Sequence, residues 1–196
     1  MIVGTRYWDD RDRYHVQTNN AIEELLRVAG GTHWLETCGP TAAATCLDML
    51  GYELTVVTPG VYRPQAEDVL SLAMNDAREA AAFEAIRAGV SGLPENRVPQ
   101  FFPRAVDICF GAKGLFLEST TWPGLMSMFN SGRTLQLCRM TPGHYIPAVA
   151  YDDDTQEIIY HDPWPQRFGD GVGWARRLAK AEWETELHHW AVVYWI

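Results

Sequence analysis

Hydrophobic and polar positions alternate along the chain in two regimes, helical first and extended later. Residues 21–29 carry apolar side chains at helical spacing and stop at Gly30-Gly31, which predicts a short helix. Residues 40–50 are almost wholly apolar, with Pro40 near the start and Gly51 just past the end. That asymmetry of helix termini predicts a buried helix with Cys38 at its N-terminus. Residues 64–89 are Ala-rich and amphipathic, predicting one long helix or two shorter ones, and a Pro/Gly-bearing loop follows to about residue 104. The pattern then changes. Strands are predicted at 105–110, 114–118, 134–139, 145–151, 157–161 and 190–196, with one further helix at 122–130 that ends at Ser131-Gly132. Helices followed by a meander of strands imply an α+β fold whose sheet is antiparallel.

Composition narrows the class. A chain of 196 residues is expected to form a single domain spanning 1–196, with 64–104 as a helical insertion, a lid or one wall of a groove. Hydrophobic residues at 47% and charged residues at 21% are ordinary for a globular protein and exclude wholesale disorder. The formal net charge of −9, with no basic run longer than Arg176-Arg177, argues against a nucleic-acid partner. No long apolar run suggests a membrane span, and the first residues lack the basic and apolar regions of a signal peptide. The expected location is cytoplasmic, with signal-independent release or packaging in a phage particle as other routes.

The four cysteines, Cys38, Cys46, Cys109 and Cys138, form no CxxC pair and no zinc-type cluster. Cys38 and Cys46 lie ~12 Å apart along one helix, too far for a disulfide. Cys38 differs from the other three by its place at a helix N-terminus, where unsatisfied N–H groups favour a thiolate. Gly39 leaves the backbone beside the sulfur uncrowded. His144 opens the predicted strand 145–151, and Asp162 follows the next strand eighteen positions on. In a hairpin the two ends meet, so a carboxylate at Asp162 can orient the imidazole of His144, as in nucleophile–base–orienter sites. His33 and His161 are alternative bases but read more simply as a rim and a strand residue. His188-His189 point to opposite sides of a strand and make a poor metal pair. The Asp152–Asp154 turn with Glu157 lacks calcium-loop spacing. No metal site and no cofactor are expected.

Three motifs taken together, Glu36-Thr-Cys38-Gly39-Pro40-Thr, Gly143-His144-Tyr145 with Tyr151-Asp152, and His161-Asp162-Pro163, resemble the papain-like cysteine peptidases, and within them the bacteriocin-leader-peptidase-like (double-glycine peptidase-like) branch. The likeness covers about 38–52 and 120–165, and Thr121-Trp122-Pro-Gly-Leu and Ser131-Gly132-Arg133 resemble the same branch. It implies a papain-like fold, in which a helical half bearing Cys38 packs on an antiparallel sheet bearing His144 and Asp162. It also implies a peptidase mechanism, with Cys38 as nucleophile, His144 as general base and then acid, and Asp162 as orienter. The family draws an oxyanion-stabilising Gln from just before the nucleophile, yet residues 32–37 contain none. Gln17, in Gln17-Thr-Asn19-Asn20, resembles the version placed further upstream. Gly39, Gly143 and Trp164 are the expected substrate-contacting positions.

The expected activity is hydrolysis of a peptide bond, in a protein or leader peptide or in a peptidoglycan cross-bridge as in phage lysins. Acyl transfer on the same residues, and a catalytically inactive scaffold acting as a binding module, are the alternatives.

Overall fold

A computed structural model describes residues 1–17, 37–54, 65–75 and 98–196. The expected helix at 21–29, His33 and much of the 64–104 segment lie outside the described residues. Within them the fold is α+β, built on one open antiparallel sheet. In chain order the elements are β1 (Ile2–Gly4), α1 (Cys38–Leu50), α2 (Ala66–Asn75), α3 (Phe102–Phe110), β2 (Lys113–Leu117), α4 (Trp122–Asn130), β3 (Thr134–Arg139), β4 (His144–Asp152), β5 (Glu157–Tyr160), β6 (Arg176–Ala179), α5 (Lys180–Glu186) and β7 (Ala191–Trp195).

Helix α1 is buried on all sides except at Asp48, so its stability comes from packing rather than from an amphipathic stripe. It stops at Gly51, whose left-handed φ of 92° lets its N–H return to the Asp48 carbonyl at 2.8 Å. A side chain there would also strike the ring of Tyr7, so both conformation and space require glycine. The strand expected at 105–110 is instead part of α3. Pro103 opens the helix, Gly111 closes it, and Phe102, Ala105 and Val106 form its buried face while Arg104 and Asp107 point outward. A short apolar run does not distinguish the two periods, and here packing chose the helix. Residues 176–186, read as no element from sequence, form β6 and α5.

The strand order is β2-β7-β3-β4-β5-β6, with β1 pairing with the end of β4. Alternation along the strands feeds both faces. Cys138, Tyr145, Val192 and Tyr194 join the core under α1, α2 and α3. Leu135, Leu137, Ile146 and Val193 face a second core closed by Trp122, Leu125 and Phe129 of α4 and by Trp183 of α5. Helix α1 is keyed to β3 by polar bonds: Thr134 Oγ1 donates to the Cys46 carbonyl at 3.1 Å, and Gln136 Nε2 donates to the Gly39 carbonyl at 3.1 Å.

The first seventeen residues form a strap across both halves. His15 lies between two carboxylates, Nε2 at 3.1 Å from Asp48 of α1 and Nδ1 at 3.0 Å from Glu67 of α2. Arg13 reinforces this through Asp48 Oδ1 at 2.7 Å. Burial pushes the His15 imidazole down, but the bonds to Asp48 and Glu67 outweigh it and hold it up at about 9. The folded state therefore binds a proton that the unfolded chain releases near 6.5. The stabilisation is complete below that value and is lost as pH rises through about 9. In urea unfolding, the stability advantage of the wild type over His15→Gln should shrink by ~1–3 kcal/mol between neutral pH and pH 10. An advantage that does not vary with pH would show that the staple is uncharged.

Candidate active site

The three expected chemical groups converge where α1 meets the sheet. Cys38 is the first residue of α1, preceded by Thr37 as N-cap, and the residue is 8% exposed. His144 is the first residue of β4, and Asp162 follows β5. Ladder pairing of β4 with β5 is interrupted by a shift between Ala148 and Ala150, and beyond it the His161 N–H donates to the Pro147 carbonyl at 3.0 Å. This returns Asp162 to the start of β4, where His144 Nε2 lies 2.8 Å from Asp162 Oδ1. The Cys38 thiol is within hydrogen-bonding reach of the same imidazole. With Nε2 committed to Asp162, Nδ1 is the nitrogen left for the sulfur. Burial pushes the His144 imidazole down, but its bonds to Asp162 and Cys38 prevail and raise it to about 9.

Asp162 is fully buried and held from several sides. Its Oδ1 also accepts the Trp164 N–H at 2.9 Å, and its own N–H donates to the Gly173 carbonyl at 2.8 Å. The Tyr14 hydroxyl donates to the Asp162 carbonyl. Trp164 sets its ring edge-on to His144 at 6.2 Å, which places this expected substrate contact beside the imidazole. The backbone of Gln17 donates to the Pro163 carbonyl at 2.8 Å, so the strap delivers Gln17, with its side chain buried, to the residue after Asp162. Gly39 is buried at the helix start, and Gly143 is exposed in the turn before His144, with open space where a side chain would lie.

The other candidates have separate environments. His161 accepts the Ala175 N–H at Nδ1 (3.0 Å) and donates from Nε2 to the Trp8 carbonyl (2.9 Å), which fixes a neutral tautomer. Burial pushes it down to about 4. It stacks on Trp174 at 3.8 Å and serves as packing. His188 stacks on Trp190 and His189 on Trp183, so the two rings do share no site. Arg177 Nη1 binds Asp152 Oδ2 at 2.8 Å in the acidic turn. None of the four cysteines is joined in a disulfide. Burial pushes the thiol of Cys138 up to about 12 and that of Cys46 higher still, so neither is a ready nucleophile. Among the described residues no His/Cys/Asp/Glu cluster suited to a metal ion is formed, and no helix is long and apolar enough to cross a membrane.

Sequence patterns did not point to Tyr14, Gly173 or Arg167. A Cβ at Gly173 would overlap both the Asp162 carbonyl oxygen and the Tyr14 hydroxyl. The Gly169-Asp-Gly171-Val-Gly173 run is the one signal that a close backbone approach was needed there. No protein-family model and no curated protein matches the chain.

Two outcomes follow from this geometry. Gly173→Ala should destabilise the fold by ~1–3 kcal/mol in urea unfolding, because the Asp162 loop must move to admit the methyl group. Asp162→Asn should lower the His144 imidazole titration, followed by NMR of its ring protons, by about one pH unit or more toward the ordinary value. An unchanged titration would mean that Asp162 does not hold the proton on His144.

Proposed function

We propose that the protein is a cysteine-dependent amide hydrolase of papain-like architecture, acting through Cys38, His144 and Asp162. The observation that carries this reading is the chain of contacts from the helix-terminal thiol of Cys38 to His144 and from His144 Nε2 to the buried Asp162 at 2.8 Å. A thiol alone at a helix start is common; a thiol facing an imidazole that a carboxylate fixes in tautomer and orientation is a nucleophile with its base. The sulfur attacks the carbonyl carbon, and the backbone N–H of Cys38 with the side chain of Gln17 receives the oxyanion. His144 gives its proton to the leaving amine. It then takes a proton from the water that cleaves the thioester and restores the thiol. Asp162 orients the imidazole and stabilises the imidazolium.

The substrate class is a peptide bond, either in a protein or leader peptide or in a peptidoglycan cross-bridge. Incubation with unstructured polypeptides and with purified peptidoglycan, followed by mass spectrometry, separates the two. Cys38→Ala should abolish cleavage with the fold intact, a loss of at least ~10³-fold. A second measurement needs no substrate. Near pH 6, iodoacetamide should modify Cys38 ahead of Cys109, although Cys109 is the more exposed thiol. Labelling that simply follows exposure, or cleavage that survives Cys38→Ala, would overturn the assignment and favour a binding module.

A further inference from the structure

Two buried polar atoms behind the site face each other without completing a bond. Asp162 Oδ2 has no hydrogen-bond donor, and Arg167 Nη1 has no acceptor. They are 3.8 Å apart, an ion-pair distance rather than a hydrogen bond. Arg167 closes the short 3-10 turn Pro165–Arg167 that follows Trp164, so the turn that places Trp164 beside His144 also places this guanidinium behind the carboxylate. The neighbouring cations are engaged elsewhere: Arg139 with Glu182 at 2.6 Å and Glu186 at 2.7 Å, and Arg176 with Asp170. Among the described residues, His144 and Arg167 are the two cationic groups within ion-pair distance of Asp162. The other titratable groups near the carboxylate are Tyr14 and Tyr160, and those facing Cys38 are Cys138 and Tyr145; burial holds all four protonated.

Charge gives this arrangement its meaning. With thiolate, imidazolium and carboxylate formed, the buried set of Cys38, His144 and Asp162 carries one net negative charge. A buried excess charge is costly and is relieved by binding a proton, and the thiolate is the site that would take it. A guanidinium behind Asp162 cancels the excess.

We propose that Arg167 is a positioning residue of the site: its charge, set against the second oxygen of Asp162, brings the buried group to neutrality and so favours the thiolate–imidazolium form of Cys38 and His144. This rests on the nucleophile reading given under Proposed function. Arg167 acts through Asp162, and its side chain is 21% exposed on a surface turn, so a substitution there is not a core lesion.

The rate of Cys38 alkylation by iodoacetamide, measured from pH 5 to 9 by mass spectrometry, tests this directly. Arg167→Gln, and Arg167→Met as a second neutral variant that keeps the stem, should move the profile up by about one pH unit, a ~10-fold slower reaction near pH 6 that recovers toward pH 9. Arg167→Lys retains the charge and should stay close to wild type. Neutral variants whose profiles superimpose on the wild type, or that slow equally at every pH, would overturn the role of Arg167 while leaving Cys38 as nucleophile. Should wild-type Cys38 react no faster than Cys109 at any pH, the nucleophile reading itself fails, and the Arg167 proposal with it.

Discussion

A carboxylate sealed from water demands partners, and the Asp162–His144 bond meets that demand. Both side chains are almost fully buried, so each would be costly without the other. The surrounding features supply the remaining bonds. The Trp164 amide shares Oδ1, Tyr14 takes the carbonyl, and Gly173 takes the amide. Even the absent side chain at Gly173 belongs to this set, because only glycine lets the Tyr14 hydroxyl reach the Asp162 backbone. The imidazole is thereby fixed to a rigid loop on one side and offered to Cys38 on the other.

Cys38 and His144 sit on different layers, so their meeting also requires the layers to hold their spacing. The strap does part of this. Its His15 and Arg13 bind the helical layer at Asp48 and Glu67, while Trp8, Tyr14 and Gln17 bind the stretch His161–Pro163 at the end of the sheet. Helix α1 is fixed independently by Thr134 and Gln136 of β3. One element spanning both layers and a second set of direct bonds leave little freedom between sulfur and ring. Such preorganisation would serve the reaction proposed for Cys38, because the groups around the sulfur need not reorganise as it proceeds.

Local signals made much of this legible. Pro40 and Gly51 bracket α1, and Cys38 falls where the helix begins. Helix α4 and strand β3 have the bounds their sequence patterns give. The pairing of His144 with Asp162 follows from a hairpin whose ends are eighteen positions apart, a short-range fact. Residues 105–110 read as a strand because a six-residue run, apolar except for Asp107, is too short to declare its period; the neighbouring Pro103 and Gly111 were the better guide. The strap was opaque for a different reason. Tyr14 and Asp162 are 148 positions apart, and Trp8 and His161 are 153 apart, so nothing near residues 8–17 announces their partners. Arg167 and Gly173 matter only through Asp162, and become meaningful only once that loop is folded.

The histidines show why geometry has to precede chemistry. Among the described histidines three are largely buried, and burial alone would leave each of them neutral. His15, between two carboxylates, is held charged. His161, between a carbonyl and an N–H, is held neutral, because one ring nitrogen must accept and the other donate. His144 has a carboxylate on one nitrogen and a thiol on the other, and is raised like His15. The difference lies in what can move. Both partners of His15 are carboxylates, and the partners of His161 are backbone. Of these three, only His144 faces a group that can give up a proton and then form a bond to carbon, so the same residue type yields a staple, a packing element and the proposed base according to its second partner.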